Sequence, residues 1–370
     1  MKKVGIVTWF ESENYGTALQ AFALNDVLKR IGYEPRIIAS FRYKHFGFAD
    51  EIRRILDALG LLLFFRSHFV GCVNRRRKIK IYDFFRKYTT VVRINSRAQY
   101  SKLISDVPIF VTGSDQIWNP HFLETFYLLD FAKDNKRIAY SSSIGVSELP
   151  HEIKFLYKEL LCKFDHIGLR EDTAVSIINE LLEEQKAIKV VDPTMLVSKD
   201  GWYELIEKSK LLIVEPYIFC YLIGSKKEYS SYVAKVQNEL GITNVIVVTS
   251  AENDSIHLDG IEAKYKHDVG LEDFVYLIKN ASFVCTDSFH ATAISIKLEK
   301  NFVEFMRFED NDPKSQNSRI TDILLRYKLD NRIFDIHNTE WTKSIDYSET
   351  NQMLDKDIQL SMHFLLDALV

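Results

Sequence analysis

Three side chains with acid–base or anion-binding chemistry each stand shortly after the end of an apolar run: Asp115 in VTGSDQIWNP, Arg170 in HIGLREDT and His290 in TDSFHATAIS. A positioned carboxylate can take a proton from a hydroxyl, and an imidazole can give or take one near neutral pH. A guanidinium presents a planar fork of donors to a carboxylate or a phosphate. Further polar and aromatic residues cluster at the same kind of position: Asn14, Tyr15 and Gly16 in ESENYG; Gly113, Ser114, Gln116 and Trp118 around Asp115; Ser142 in SSSIG; Glu171 beside Arg170; Asp287, Ser288 and Phe289 before His290. Each has an ordinary reading beside the chemical one. Asn-Tyr-Gly is either a loop with glycine at positive φ or a helix start whose N–H groups meet an anion or a sugar oxygen. Ser114 and Asp115 either cap a helix or face a ligand. Trp118 is either core or a stacking platform. Arg170 either pairs with Glu171 or Asp172 or grips an anion, and His290 is either structural or an acid/base group at a helix N-terminus.

The elements that must position these residues alternate between two periods. KVGIVTWF (3–10) reads as a strand, TALQAFALNDVLKRIG (17–32) as a helix with Gly32 at its C-terminal cap, and EPRIIAS (34–40) as a second strand. The alternation returns in VPIFVTG, RIAYSSS, HIGLRED with TAVSIINELLEEQ, and AIKVVDPT, and restarts after WYELIEKS with YIFCYLIG, EYSSYVAKVQNELG, NVIVVTS, LEDFVYLIKNA, SFVCTD, FHATAISIKL and NFVEFM. Such alternation predicts an α/β fold of two Rossmann-like domains with parallel sheets. The expected domains are 1–195 and 196–350, with a final helix over 351–370 docking back on the first. In open α/β sheets ligands bind beyond the carboxyl ends of the strands, and the polar clusters all stand there. A cleft between the domains is therefore expected. The insertion at about 41–105 reads as helical, and its basic run NRRRKIK (74–80) reads as a solvated face beside the apolar LGLLLFF (59–65).

Composition narrows the class. Of 370 residues, 46% are apolar, enough for sizeable cores, and a net charge of -3 excludes a general nucleic-acid binder. Four widely spaced cysteines form no CxxC pair, so each is expected to be a small buried hydrophobe in a reducing compartment. No metal-ligand spacing is found. The N-terminus reads as a strand rather than a signal peptide, and no apolar run is long enough to span a bilayer, so a cytoplasmic protein is expected.

Taken together, NYGTALQA, GSDQIWNP, SSSIG, LREDTAV, VDPTML and TDSFHATAISI resemble the polysaccharide pyruvyl transferase family, in the family's order and over nearly the whole chain. The resemblance implies a two-domain fold similar to GT-B glycosyltransferases. It also implies transfer of a pyruvyl group from phosphoenolpyruvate to two sugar hydroxyls, giving a cyclic ketal on a cell-surface glycan or its lipid-linked precursor. Arg170 and His290 match family residues placed at the donor, and Gly113, Ser114 and Asp115 match a loop facing the cleft. Many members read Arg-x-His-Gly where this chain has Ser288, Phe289, His290 and Ala291; Arg319 or Arg307 are then the candidates to supply the missing cation. On this reading Asp115 is the base, His290 the acid, and no cofactor is used. A lipid-linked acceptor would also suit peripheral contact of residues 59–80 with the inner face of an anionic membrane. Two other classes fit the pattern: a GT-B-like glycosyltransferase using a nucleotide sugar, and a non-catalytic carbohydrate-binding protein.

Overall fold

A computed structural model describes residues 1–41, 72–309 and 316–370. Seven strands, β1 (Lys3–Val7), β2 (Glu34–Phe41), β3 (Val91–Ile94), β4 (Ile109–Thr112), β5 (Lys136–Ser142), β6 (His166–Leu169) and β7 (Ala187–Lys189), form one sheet in the order β3-β2-β1-β4-β5-β6-β7. Five more, β8 (Ile218–Tyr221), β9 (Val245–Val248), β10 (Ala263–Lys266), β11 (Phe283–Thr286) and β12 (Phe302–Glu304), form a second in the order β10-β9-β8-β11-β12. Every neighbouring pair is parallel. The central strands are apolar on both faces, as sheets covered by helices on each side require.

The α-helices of the described residues are α1 (Tyr15–Arg30), α2 (Cys72–Tyr88), α3 (Arg97–Asp106), α4 (His151–Leu161), α5 (Asp172–Leu182), α6 (Pro193–Leu196), α7 (Lys199–Ile206), α8 (Tyr229–Leu240), α9 (Leu271–Asn280), α10 (Phe289–Lys297), α11 (Ser318–Arg326) and α12 (Tyr347–Leu369). In both sheets the strand order reverses beside the first strand, between β1 and β4 and between β8 and β11. Loops leaving the carboxyl ends of these strand pairs diverge and leave a crevice. The loops after β1 and β4 therefore face those after β8 and β11, with α1 and α10 starting between them.

One buried apolar cluster runs through both sheets without a break, from Val4 and Leu24 through Leu196 and Phe274 to Leu369. Tyr15 at the start of α1 stacks on Phe274 of α9 with ring centroids 4.7 Å apart. The chain ends on a strap: Tyr347 at the start of α12 donates its hydroxyl to the Lys300 carbonyl, while Ser361 Oγ accepts the Val191 N–H at 2.9 Å and Lys2 reaches the Leu369 carbonyl. Helix α12 thus starts on the second sheet's unit and finishes on the first.

Several expectations are corrected. The insertion is not wholly helical, because β3 completes one edge of the first sheet. Edge strand β10 is half-exposed and Lys-rich, so it lacks the apolar signal of a strand. Cys220 and Cys285 are buried, but Cys162 is exposed. Arg77 is no solvated residue: it is fully buried, and its guanidinium reaches Asp254 (2.5 Å), Thr249 Oγ1 (3.0 Å) and the His267 carbonyl (2.9 Å) at the ends of β9 and β10. It therefore ties α2 to the second sheet and is unavailable to a membrane. Leu61 to Phe65 lie outside the described residues. No described helix is long and apolar enough to cross a membrane.

Candidate active site

The turn after β4 is built around Gly113, whose φ is +121° and where a Cβ would stand 2.0 Å from the Tyr140 carbonyl oxygen. Only glycine fits both the backbone and the space. Ser114 is fully buried. Its N–H donates to Gln20 Oε1 of α1 (2.9 Å), and its hydroxyl lies 2.7 Å from the Ser141 carbonyl and 2.9 Å from Asp192 Oδ2. The next helical turn, Pro120–Phe122, is capped by Asn119, so neither Ser114 nor Asp115 is a helix cap.

Asp115 takes a positive φ of 71° and is 5% exposed. A non-glycine residue rarely adopts that conformation, although Asp tolerates it better than most. Its Oδ2 accepts from Thr17 Oγ1 at 2.7 Å, and its Oδ1 accepts the Gln116 N–H at 2.8 Å. Burial opposes its charge, but His290 and then Arg170 hold the carboxyl below the usual carboxylate range.

Asp192, which stands just before α6, gathers the other groups. Its Oδ1 accepts the N–H and the hydroxyl of Thr194, and its Oδ2 meets Ser114 Oγ, Arg170 Nη1 at 3.2 Å and His290 Nε2 at 3.6 Å. Burial works against its charge too, yet His290 and Arg170 keep it well below the ordinary range. Arg170 is 5% exposed; its Nε donates to Glu171 Oε1 at 2.8 Å and its Cζ lies 4.1 Å from the centroid of the Phe289 ring. Among the described residues, Arg170 Nη2, His290 Nε2 and Glu171 Oε2 are buried without a hydrogen-bond partner. His290 rides over Gly16, where a Cβ would come within 2.5 Å of the ring's Nδ1. Gly16 therefore exists to admit His290, and it does not take a positive φ.

Asp115, Arg170, His290, Glu171 and Phe289 are thus brought together with Gly16 and Ser114. Other expected contacts resolve differently. The Asn14 carboxamide caps α1 by accepting the Gly16 and Thr17 N–H groups, so those donors are not open to an anion; its Nδ2 bonds to Glu252. Tyr15 is fully buried in the seam between the sheets, and Trp118 is core, its ring against Phe164 and its Nε1 donating to the Tyr127 carbonyl. Ser142 Oγ donates to the Thr112 carbonyl (3.3 Å). The Asp287 carboxylate is saturated by the N–H groups of Ile223 and Gly224 and the Tyr229 hydroxyl, so it fastens the loops after β8 and β11 together. Ser288 precedes α10 without a side-chain capping bond. Gln116 Nε2 crosses to Gln316 Oε1 at 3.1 Å, and Arg319 donates to the same oxygen. No group of three His, Cys, Asp or Glu able to hold a metal ion occurs among the described residues.

Asp192, Thr17 and Gln20 were missed as site residues. Asp-Pro-Thr at 192–194 is an ordinary helix-start signature and reads as a cap. The usable signal for Gln20 was a polar side chain placed on an otherwise apolar helix face.

The sequence model of a family described as polysaccharide pyruvyl transferase matches residues 14–306. No curated protein matches the chain. Among solved structures it is similar to S. aureus MnaA in a UDP co-structure, at 10% identity over 100% of this chain and 91% of that one, with a TM-score of 0.50. An alpha-glucosyltransferase in complex with UDP and a 13-mer DNA gives 9% identity, 99% and 98% coverage and a TM-score of 0.48. The UDP-N-acetylglucosamine 2-epimerase from Rickettsia bellii gives 12%, 99% and 96%, and 0.47. At such identities the likeness is one of fold: two parallel sheets with alternating helices in a GT-B-like arrangement.

Proposed function

The chain belongs to the polysaccharide pyruvyl transferase family, and from that premise we propose that it moves the pyruvyl group of phosphoenolpyruvate onto two hydroxyls of a sugar as a cyclic ketal. The observation that carries this reading is the meeting of buried, unpartnered Arg170 Nη2 and His290 Nε2 beside an ionised Asp115. A buried donor on a cation is costly unless a ligand completes it, and the donor molecule brings a carboxylate and a phosphate.

In the first step a sugar hydroxyl attacks the central carbon of the enol phosphate. Asp115 takes the hydroxyl proton, and His290 delivers a proton to the terminal methylene carbon, which becomes the methyl group. In the second step the carbon–oxygen bond to phosphate breaks. The second hydroxyl bonds to the same carbon, and its proton leaves with phosphate. Arg170 holds the donor's carboxylate, with Glu171 and Asp192 fixing the guanidinium plane. Donor anions lying against Arg170 and His290 would weaken the hold of these two side chains on Asp115 and so raise its basicity, which matches the timing a general base needs.

The acceptor is proposed to be a cell-surface polysaccharide or its lipid-linked precursor. Contact with a membrane's inner face rests on the sequence of residues 59–76 alone, since Arg77 is engaged elsewhere.

Thermal unfolding with added ligands tests the reading. Phosphoenolpyruvate at a hundred times its dissociation constant should stabilise the fold by about 2.7 kcal/mol, and nucleotide sugars should not. Phosphate release with a glycan acceptor should follow. Stabilisation by nucleotide sugars alone would make the protein a glycosyltransferase. Stabilisation by glycan alone would make it a carbohydrate-binding protein.

A further inference from the structure

Phe289 also lines a small, partly enclosed cavity together with Asp287, Arg307, Phe308, Gln316 and Arg319. Arg319 enters it from the first turn of α11 and is 8% exposed. Its Nη2 donates to Gln316 Oε1 at 2.7 Å, and its Nε is buried with no hydrogen-bond partner among the described residues. Arg170 pairs with Glu171 and Asp192, and Arg307 pairs with Asp287 at 3.4 Å. Arg319 forms no ion pair with a carboxylate among the described residues.

A guanidinium taken out of water without a counter-charge is unfavourable, and buried charges are as a rule paired. We propose that Arg319, with Arg307 beside it, is a phosphate subsite, and that the phosphate it takes is the donor's, whose carboxylate is held on Arg170. This rests on the phosphoenolpyruvate reading above. Phe289 is the shared wall: its ring packs against the Arg170 guanidinium at 4.1 Å and lines the Arg319 cavity. Burial, and then the neighbouring Arg170 and Arg307, push the Arg319 guanidinium down to about 9, against the smaller opposing pull of Glu171 and Asp115. At neutral pH it remains charged. Gln316 also accepts from Gln116 of the first sheet's unit, so the subsite is assembled across the seam. Asp287 lines it too, but its carboxylate already accepts from Ile223, Gly224 and Tyr229, and its carbonyl accepts from Arg307 Nη2 at 2.8 Å and fixes that side chain.

The test is calorimetric binding of inorganic phosphate, pyruvate and phosphoenolpyruvate to the full chain, wild type and variants. Arg319→Gln should weaken phosphate and phosphoenolpyruvate by about tenfold or more and leave pyruvate unchanged, whereas Arg170→Lys should weaken pyruvate. Arg319→Lys keeps the charge and should recover part of the loss, and Arg307→Gln gives an independent reading should Arg319→Gln fail to fold. Wild-type protein that does not bind phosphate, or phosphate affinity unchanged in Arg319→Gln, Arg319→Lys and Arg307→Gln, overturns the subsite. Phosphate lost with Arg319 while phosphoenolpyruvate affinity is unchanged overturns its assignment to the donor and gives it to a phosphate on the acceptor. Phosphate bound through Arg319 in a protein that never binds phosphoenolpyruvate leaves the subsite standing and removes the proposed reaction.

Discussion

His290 Nε2, carried by α10 of the second sheet's unit, stands 3.6 Å from Asp192 Oδ2, which belongs to the turn after β7 of the first. The distance is too long for a hydrogen bond and short enough for strong electrostatic coupling at a buried site. The imidazole and the carboxylate that faces it therefore come from different units, and the site exists only where the two sheets are held together.

Asp192→Asn should keep the acceptor that caps α6 while removing the charge facing Arg170 and His290. At neutral pH we expect a loss of about 3–5 kcal/mol, the usual cost of breaking a buried pair. The folded-state pKa of Asp192 lies below its unfolded value of about 3.9, so the unfolded chain binds the proton first on acidification. Its contribution is therefore complete above roughly pH 5 and is lost as the pH falls through 4 and lower. Thermal unfolding from neutral to acid pH should show the gap between variant and wild type closing. A gap that stays constant would mean the charge is not what Asp192 contributes.

Asp115→Asn preserves shape and can still accept the Gln116 N–H, with its amide donating to Thr17 Oγ1 in place of accepting from it, yet it cannot take a proton. Turnover with phosphoenolpyruvate should fall about 100-fold or more, with the melting temperature little changed. Wild-type turnover would reduce Asp115 to a structural acceptor.

Gly16→Ala places a methyl group 2.5 Å from His290 Nδ1. The backbone φ is ordinary, so α1 itself should form. The ring must move by about an ångström, and misplacement of that size costs on the order of 100-fold in rate. Full activity in this variant would show that the ring's position is not critical.

Arg77→Ala should cost about 3 kcal/mol or more, since it empties a buried position and leaves Asp254 with Thr249 Oγ1 but without its guanidinium partner. Arg77→Lys should recover less than half, because a single ammonium cannot span Asp254, Thr249 and the His267 carbonyl at once. Chemical denaturation measures both, and two small equal losses would argue against a tie between α2 and the second sheet.

The alternation of apolar strands with amphipathic helices was enough to specify parallel sheets, because a strand covered on both faces needs an unbroken apolar run and a helical crossover. From that follows the common location of Asp115 and Arg170, since strand ends on one side of a parallel sheet share an edge, whereas His290 stands at the matching edge of the second sheet and reaches them only through the packing of the two sheets. Which polar side chains remain open there was decided by packing. Asn14 and Asp287 have the composition of ligand contacts, yet their acceptors are consumed by backbone N–H groups. Tyr15 and Trp118 have the composition of stacking platforms, yet each is sealed in core. Asp192 reads locally as a helix cap, and only the approach of α10, almost a hundred residues later in the chain, turns it into the partner of His290. Arg77 reads as one of three exposed arginines until β9 and β10 supply its acceptors. Burial and pairing depend on contacts between distant segments, and local spacing carries no record of them.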